Sequence, residues 1–326
     1  MDNYLAILDK NTSYVKKLAG FIEKTGALPF RVLAFDDLKK LEAFCIRKPA
    51  EVLLAGESFK DHDLNGTAKQ IIFLTDGSEE RLVSGGEDYP LISRYQAASE
   101  ITGKVLKVLV DSPLEIATRA DATGNGESRI LAFFAPGPKG FQTGTALKLC
   151  RILAKREKVI YMGFEPFSGF KARVGMCLGQ RSDVTELVFF LDKSKDRFRM
   201  KLSSMVGNDE GVDYISPPGD YSDFMSVTAK EWVSTIKAVC STGVYDTVVL
   251  DLHEAMQGLF SIMDVSDRII TVVPGDKLFA ERYREFRESI PEEYIEKAES
   301  KSYMLKLPPG RDHKRMIEER LSEILG

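Results

Sequence analysis

From Tyr4 onward, short apolar runs alternate with segments of helical period. Tyr4–Leu8 reads as a strand, and Thr12–Thr25 as a helix with Val15, Leu18, Phe21 and Ile22 at helical spacing. Residues 30–35 predict a second strand, and Asp36 or Asp37 can cap a helix carrying Leu38, Leu41 and Phe44. Residues 51–55, 70–75 and 90–93 follow as strands, and 97 to about 110 as a helix. This β-α-β rhythm predicts a parallel sheet with helices on both faces.

The periodicity fades over residues 111–128, where Asp121-Ala-Thr-Gly-Asn-Gly126 favours turns. A domain boundary is expected there, with a first domain over 1–112, a linker over 113–128 and a second domain over 129–326. The first has the length of a flavodoxin-like unit. The second opens with the apolar strand 129–135, a loop rich in Gly and Pro, and a helix from about 145 to 156. Residues 158–164, 185–191, 247–252 and 268–273 read as further strands, with 198–203 pairing as a hairpin with 185–191. Residues 231–240, 277–288 and 314–325 read as helices. The predicted fold class is α/β: two doubly wound parallel-sheet domains in succession.

A length of 326 residues with 44% apolar and 29% charged residues supports two such cores. A net charge of −4 gives no global field for nucleic acid or anionic lipid. The four cysteines, Cys45, Cys150, Cys177 and Cys240, form no CxxC pair and accompany only 3 histidines, so neither a disulfide framework nor a zinc site is expected. Asp2, Asp9 and Lys10 interrupt any secretory apolar segment, and no apolar run approaches the ~20 residues that span a bilayer. A reduced, cytoplasmic protein is the expectation.

A strand, a glycine-rich loop and a helix together make a phosphate cradle, because backbone N–H groups and the helix N-terminus supply fixed positive potential. Here the loop reads Pro136-Gly-Pro-Lys-Gly-Phe-Gln-Thr-Gly-Thr145, and the lysine that an ordinary P-loop places before its final Ser/Thr is Gly144. The loop resembles a worn version of the deviant Walker A motif, Lys-Gly-Gly-x-Gly-Lys-Thr, of the MinD/ParA family. In that likeness Lys139 takes the signature lysine, Gly140 the first glycine and Thr145 the metal-coordinating hydroxyl. Phe141 and Thr143 replace glycines, and Gly144 replaces the lysine that reaches the phosphates. Residues 159–168 resemble the strand that ends in Asp-x-Asp, with Gly163 for the first acid and Glu165 for the second. Residues 244–252 are similar to the Walker B segment, which places Asp251 where a carboxylate holds magnesium. Residues 266–276 resemble the next strand, whose following loop borders the base.

The resemblance thus implies a degenerate nucleotide loop at Lys139, Gly140, Thr143, Gly144 and Thr145, and a vestigial magnesium site at Thr145, Glu165 and Asp251. The plainer alternatives are a solvated Lys139, an exposed Glu165, surface or capping histidines, an Asp251 that caps the following helix and a Thr145 that caps its own. With the phosphate-reaching lysine and two close-approach glycines gone, ATP and magnesium are doubtful cofactors and no residue is assigned a catalytic role. Zinc, haem, flavin and NAD are not expected.

The first domain is similar to a response-regulator receiver. Receivers need an acidic pair, a phosphoacceptor Asp, a Ser/Thr and a Lys. Here Asp9 stands alone, Gly56 occupies the acceptor position, Thr75 fits, and Arg94-Tyr95 replaces Lys-Pro. A receiver-like shell used for binding is therefore expected. An atypical receiver followed by a MinD-like domain resembles the TadZ/CpaE family of Flp/Tad (type IVb) pilus localisation proteins. That resemblance implies a homodimer at a cell pole that recruits a pilus secretion ATPase. It also implies no sequence-specific nucleic-acid binding and membrane contact only through partners. The alternative is an active MinD/ParA-type ATP-dependent dimerisation switch. Two surfaces complete the reading. The apolar side of 314–325 is expected to pack on its own domain, because Glu318, Glu319 and Glu323 offset the basic face that a membrane helix needs. Lys171, Arg173 and Arg181 offer a basic surface after the second strand of this domain.

Overall fold

The computed structural model describes residues 3–25, 28, 30–46, 48–77, 81–84, 87–112, 128–137, 140–174, 183–273, 277–307 and 313–325. The chain divides into two compact units, Met1–Asp121 with Ser194–Ser204, and Ala122–Lys193 with Met205–Gly326. The first unit runs β1 (Tyr4–Leu8), α1 (Thr12–Thr25), β2 (Arg31–Phe35), α2 (Leu38–Cys45), β3 (Ala50–Gly56), β4 (Ala68–Thr75), β5 (Arg81–Ser84), β6 (Glu87–Ser93) and α3 (Ala98–Asp111). Its strand order is β2-β1-β3-β4-β6-β5. Five strands are parallel, and β5, absent from the sequence reading, returns antiparallel along β6.

Every residue of β3 is buried, as a central strand covered on both faces requires. Asp37 rather than Asp36 caps α2, accepting from the backbone of Lys39 and Lys40, while Asp36 pairs with Lys40 at 2.7 Å. Helix α1 packs on α3. Over β3 and β4, α2 shares its cluster with Phe59 and Leu64. Those two side chains come from a 3-10 turn (Glu57–Phe59) and loop that join β3 to β4 without an α-helix. The expectation of helices on both faces is thus met on the second face by α2 and a loop.

The second unit opens with β7 (Arg129–Phe133), α4 (Gly140–Leu153) and β8 (Val159–Gly163). Next in the chain is α5 (Lys195–Met205), nearly all of which belongs with the first unit. Arg197 there donates to Val110 O at 3.1 Å and also to Ser112 O, satisfying carbonyls at the C-terminal end of α3. Then come β9 (Gly207–Asp209), β10 (Val212–Ile215), α6 (Tyr221–Ser226), α7 (Ala229–Ser241), β11 (Thr247–Asp251), α8 (Leu259–Val265) and β12 (Arg268–Val273). The unit closes with α9 (Lys277–Ser289), α10 (Glu292–Lys301), β13 (Ser302–Lys306), α11 (His313–Glu319) and α12 (Leu321–Leu325).

Two predicted strands are helical instead. Residues 184–190 wind into a 3-10 helix that buries Val184, Thr185 and Leu187, and 198–203 lie within α5. The terminal helix is broken into α11 and α12, and its apolar side is buried as expected, with Ile317 and Ile324 fully enclosed in the core. No described helix is long and apolar enough to cross a membrane.

The second sheet has the order β13-β12-β7-β11-β8-β10-β9, parallel except for β9. From β7 the chain crosses over β11 to reach β8, whereas from β11 it crosses back over β7 to reach β12. The connections leave the neighbouring strands β7 and β11 in opposite directions, so the carboxyl ends of these two strands are the topological switch point, where α/β sheets hold ligands. The glycine loop and Asp251 meet there.

Candidate functional site

Register fixes the site first. Asp251 is the last residue of β11 and lies between Phe133 of β7 and Gly163 of β8. Helix α4 enters above it, and the helix begins at Gly140 rather than near Thr145. The stretch Gly140–Thr145, which the resemblance reads as an open phosphate loop, is therefore the first turn and a half of a helix. That winding turns its side chains, rather than a concave run of amides, toward the strand ends.

Two of these side chains close the crevice. Gln142 Nε2 donates to Asp251 Oδ1 at 2.6 Å, and it also faces Phe133 O at 3.2 Å and Leu252 O at 3.0 Å. Thr143 Oγ1 donates to Asp251 Oδ2 at 2.6 Å, and Tyr161 OH reaches the same oxygen at 2.7 Å. Gln142, Thr143, Tyr161 and Asp251 are all buried, Asp251 with no exposed surface. A carboxylate in such a place is tolerated only when donors surround it, and here they come from its own chain. Burial and the Asp251 charge hold the Tyr161 phenol well above its ordinary range. Burial, seconded by Asp251, does the same to the Cys150 thiol.

The remaining motif positions are turned to other tasks. Thr145 Oγ1 donates back to Phe141 O at 2.8 Å, inside its own helix, so this threonine is neither a cap nor directed at a metal position. Phe141 packs edge-on to His313, 5.2 Å between ring centres, and against the core. A Cβ on Gly144 would lie 3.0 Å from Arg173 Nη1, so a guanidinium stands where the missing lysine would project. At Gly163 a Cβ would lie 2.8 Å from Pro217 Cγ and 3.3 Å from the Tyr161 hydroxyl, which fills the place of the first acid. Glu165 is buried and faces His253 Nε2 at 3.5 Å, while His253 Nδ1 accepts from the Ala255 amide at 3.0 Å. Asp251 ends its strand inside this network, not as a helix cap. Lys139, the side chain of Lys171 and Arg181 lie outside the described residues.

ATP with magnesium does not fit these residues. The carboxylate that would hold the metal already has both oxygens engaged, the hydroxyl that would join it points to a carbonyl, and Gln142 and Thr143 turn their side chains onto that carboxylate. Gln142 and Tyr161 were not singled out by sequence reasoning. The available signal for Tyr161 was its place two residues before Gly163, which puts both on one face of β8. Beside the closed crevice lies a cavity of about 980 Å³ walled by Phe134, Met256, Phe260, Arg282, Phe286 and Tyr294.

The pocket of the first unit is closed as well. Asp9 is buried and paired with Arg94 Nη1 at 3.3 Å, and a Cβ on Gly56 would overlap the Asp9 carboxylate. A side chain at Gly56 would have to displace the Asp9 carboxylate.

No family model matches the chain, and no curated protein does. Among solved structures it is similar to a ParA family ATPase from Chlorobium tepidum, with 14% identity over 61% of this chain and 91% of that one, at a TM-score of 0.44. It is similar to a plasmid partition protein from Borrelia burgdorferi, with 14% identity over 60% of this chain and 86% of the other, at a TM-score of 0.42. It is also similar to cobyrinic acid a,c-diamide synthase from Mycobacterium smegmatis with bound ADP and magnesium, with 13% identity over 60% and 82% of the two chains, at a TM-score of 0.41.

Proposed function

We propose that the chain is a positioning and assembly scaffold that has kept a nucleotide-switch architecture and lost the switch. The observation that carries this reading is the Asp251 network, in which Gln142, Thr143 and Tyr161 supply the contacts that a metal and phosphates would otherwise make. A receiver-like domain over 1–112 and a MinD/ParA-like domain over 129–326, joined by 113–128, present surfaces to a partner and to a second copy. The aromatic cavity of the second unit and its exposed, stacked pair Phe167 and Tyr221 are surfaces of the kind that partners cover. The resemblance to the TadZ/CpaE family makes a type IVb pilus secretion ATPase the proposed partner, with a homodimer in the cytoplasm at a cell pole as the proposed state.

Calorimetry with ATP and magnesium, hydrolysis assays and size analysis test this together. The expected outcome is no heat of binding, hydrolysis at background, and a dimer whose population is indifferent to nucleotide. Stoichiometric ATP binding with hydrolysis that disappears in Lys139→Ala would establish the ATPase switch instead.

A further inference from the structure

We propose that the carboxyl end of the first unit's sheet is a small-oxyanion cradle which the chain fills with its own Glu57 carboxylate. β1, β3, β4 and β6 are parallel neighbours within the sheet, so the residues that follow them converge. From the end of β4 two donors face outward together: Thr75 Oγ1 and the Asp76 amide reach Glu57 Oε2 at 2.9 and 3.0 Å. The Thr75 hydroxyl accepts from the Gly77 amide at 3.0 Å, which leaves its proton for Glu57. Lys60 Nζ stands 3.8 Å from the other Glu57 oxygen. Arg94 lies alongside, Nη1 at 3.3 Å from Asp9 and Nε at 2.6 Å from Asp76.

A hydroxyl, a backbone amide and nearby cations make up the set that binds a carboxylate or phosphate group. Glu57 occupies it from the first position after β3. At the preceding position, Gly56, the Asp9 carboxylate occupies the space that a side chain would take, and Asp9 is anchored by Arg94 and by the Asn11 amide at 2.8 Å. The internal ligand ties the loop after β3 to the end of β4, and Arg94 ties the end of β6 to that of β1. The edge is thereby held in one liganded arrangement with no anion supplied from outside. Tyr95, 75% exposed, directly follows the Arg94 clamp and is displayed in that arrangement.

The test is chemical rescue of the full chain. Glu57→Ala empties the cradle and is expected to lower the melting temperature by about 3–6 °C, the range for losing one hydrogen-bonded contact at a partly exposed site in a domain of this size. Acetate or formate in excess, the carboxylates that fit the vacated volume, is expected to restore at least about half of that fall by mass action. Chloride at equal ionic strength is expected to restore none, and the unsubstituted chain to respond to neither. An unchanged melting temperature in Glu57→Ala, or an equal response of variant and parent to acetate, overturns the proposal. Hydrogen exchange on the unsubstituted chain decides independently if the variant fails to fold. The Asp76 amide, although in an exposed residue, is expected to exchange slowly, and exchange at the rate of a solvated loop amide overturns the cradle.

Discussion

Thr143→Val separates a self-filled crevice from a working nucleotide site. Valine keeps the shape of threonine and removes only the hydroxyl that donates to Asp251 at 2.6 Å in a fully buried setting. Asp251 retains Tyr161 and Gln142, so the carboxylate is weakened in its support rather than orphaned. Loss of one hydrogen bond to a buried charge costs about 1.5–3 kcal/mol. For units of roughly 150–250 residues, each kcal/mol shifts the melting temperature by about 2–4 °C, which gives a fall of about 3–12 °C. Thr145→Val removes a bond to a carbonyl of the same helix and is expected to cost about 0.5 kcal/mol or less. A metal site reverses this ranking. If Thr145 holds magnesium, ATP with magnesium at a hundred times its dissociation constant would stabilise the parent by about 2.7 kcal/mol, and Thr145→Val would abolish that gain. Calorimetric scans of the parent and both variants, with and without ATP and magnesium, provide the assay. A neutral Thr143→Val beside a nucleotide-dependent rise that Thr145→Val removes would refute the reasoning.

Two other outcomes follow from the same geometry. Gly163→Ala puts a methyl 2.8 Å from Pro217 Cγ and against the Tyr161 ring, so overpacking is expected to cost about 1–3 kcal/mol, read as a lower denaturation midpoint at unchanged slope. The Asp76 amide and the Thr75 hydroxyl hold the Glu57 carboxyl below its ordinary range, so folding favours its charged form. Its contribution to stability is therefore present above the unfolded value of about 4.3 and lost as pH falls through the lower folded value. A stability profile of Glu57→Gln is expected to be flatter than the parent's across that acidic window, and parallel profiles would contradict this.

The central parallel strands of both sheets were legible because strands buried on two faces appear as mostly apolar runs, as in β3, β7, β11 and β12, whereas the peripheral strands β5, β9, β10 and β13 were not. The same cue misled at 184–190, whose apolar run buries Val184 and Leu187 three residues apart, the spacing of a 3-10 helix. In α5 the alternation of Phe198, Met200 and Leu202 imitates a strand, while Phe198, Leu202 and Met205 share a helical face. Helix α10 went unread because its polar face leaves few apolar positions to count, and β13 because its apolar stretch, Tyr303-Met304-Leu305, is only three residues long. At the crevice, Asp251 and Thr143 were recognised from motif order. Their partners Gln142 and Tyr161 were not, since which side chains meet depends on α4 beginning at Gly140, and helix starts are the least legible boundaries.

The early start of α4 also bears on whether a nucleotide loop could be built here by single substitutions. Restoring the phosphate lysine alone, as Gly144→Lys, would bring an ammonium against the Arg173 guanidinium, so the first reverting step is repelled. Reinstating glycine at Thr143 alone would take a donor from a carboxylate with no exposed surface before any ligand could compensate. Each single substitution toward a phosphate loop costs the fold stability, and only a concerted set, which unwinds the turn and forms an amide cradle together, avoids that cost. The self-satisfied crevice thus leaves the outer surfaces free to vary while single steps toward nucleotide chemistry are opposed by the packing itself.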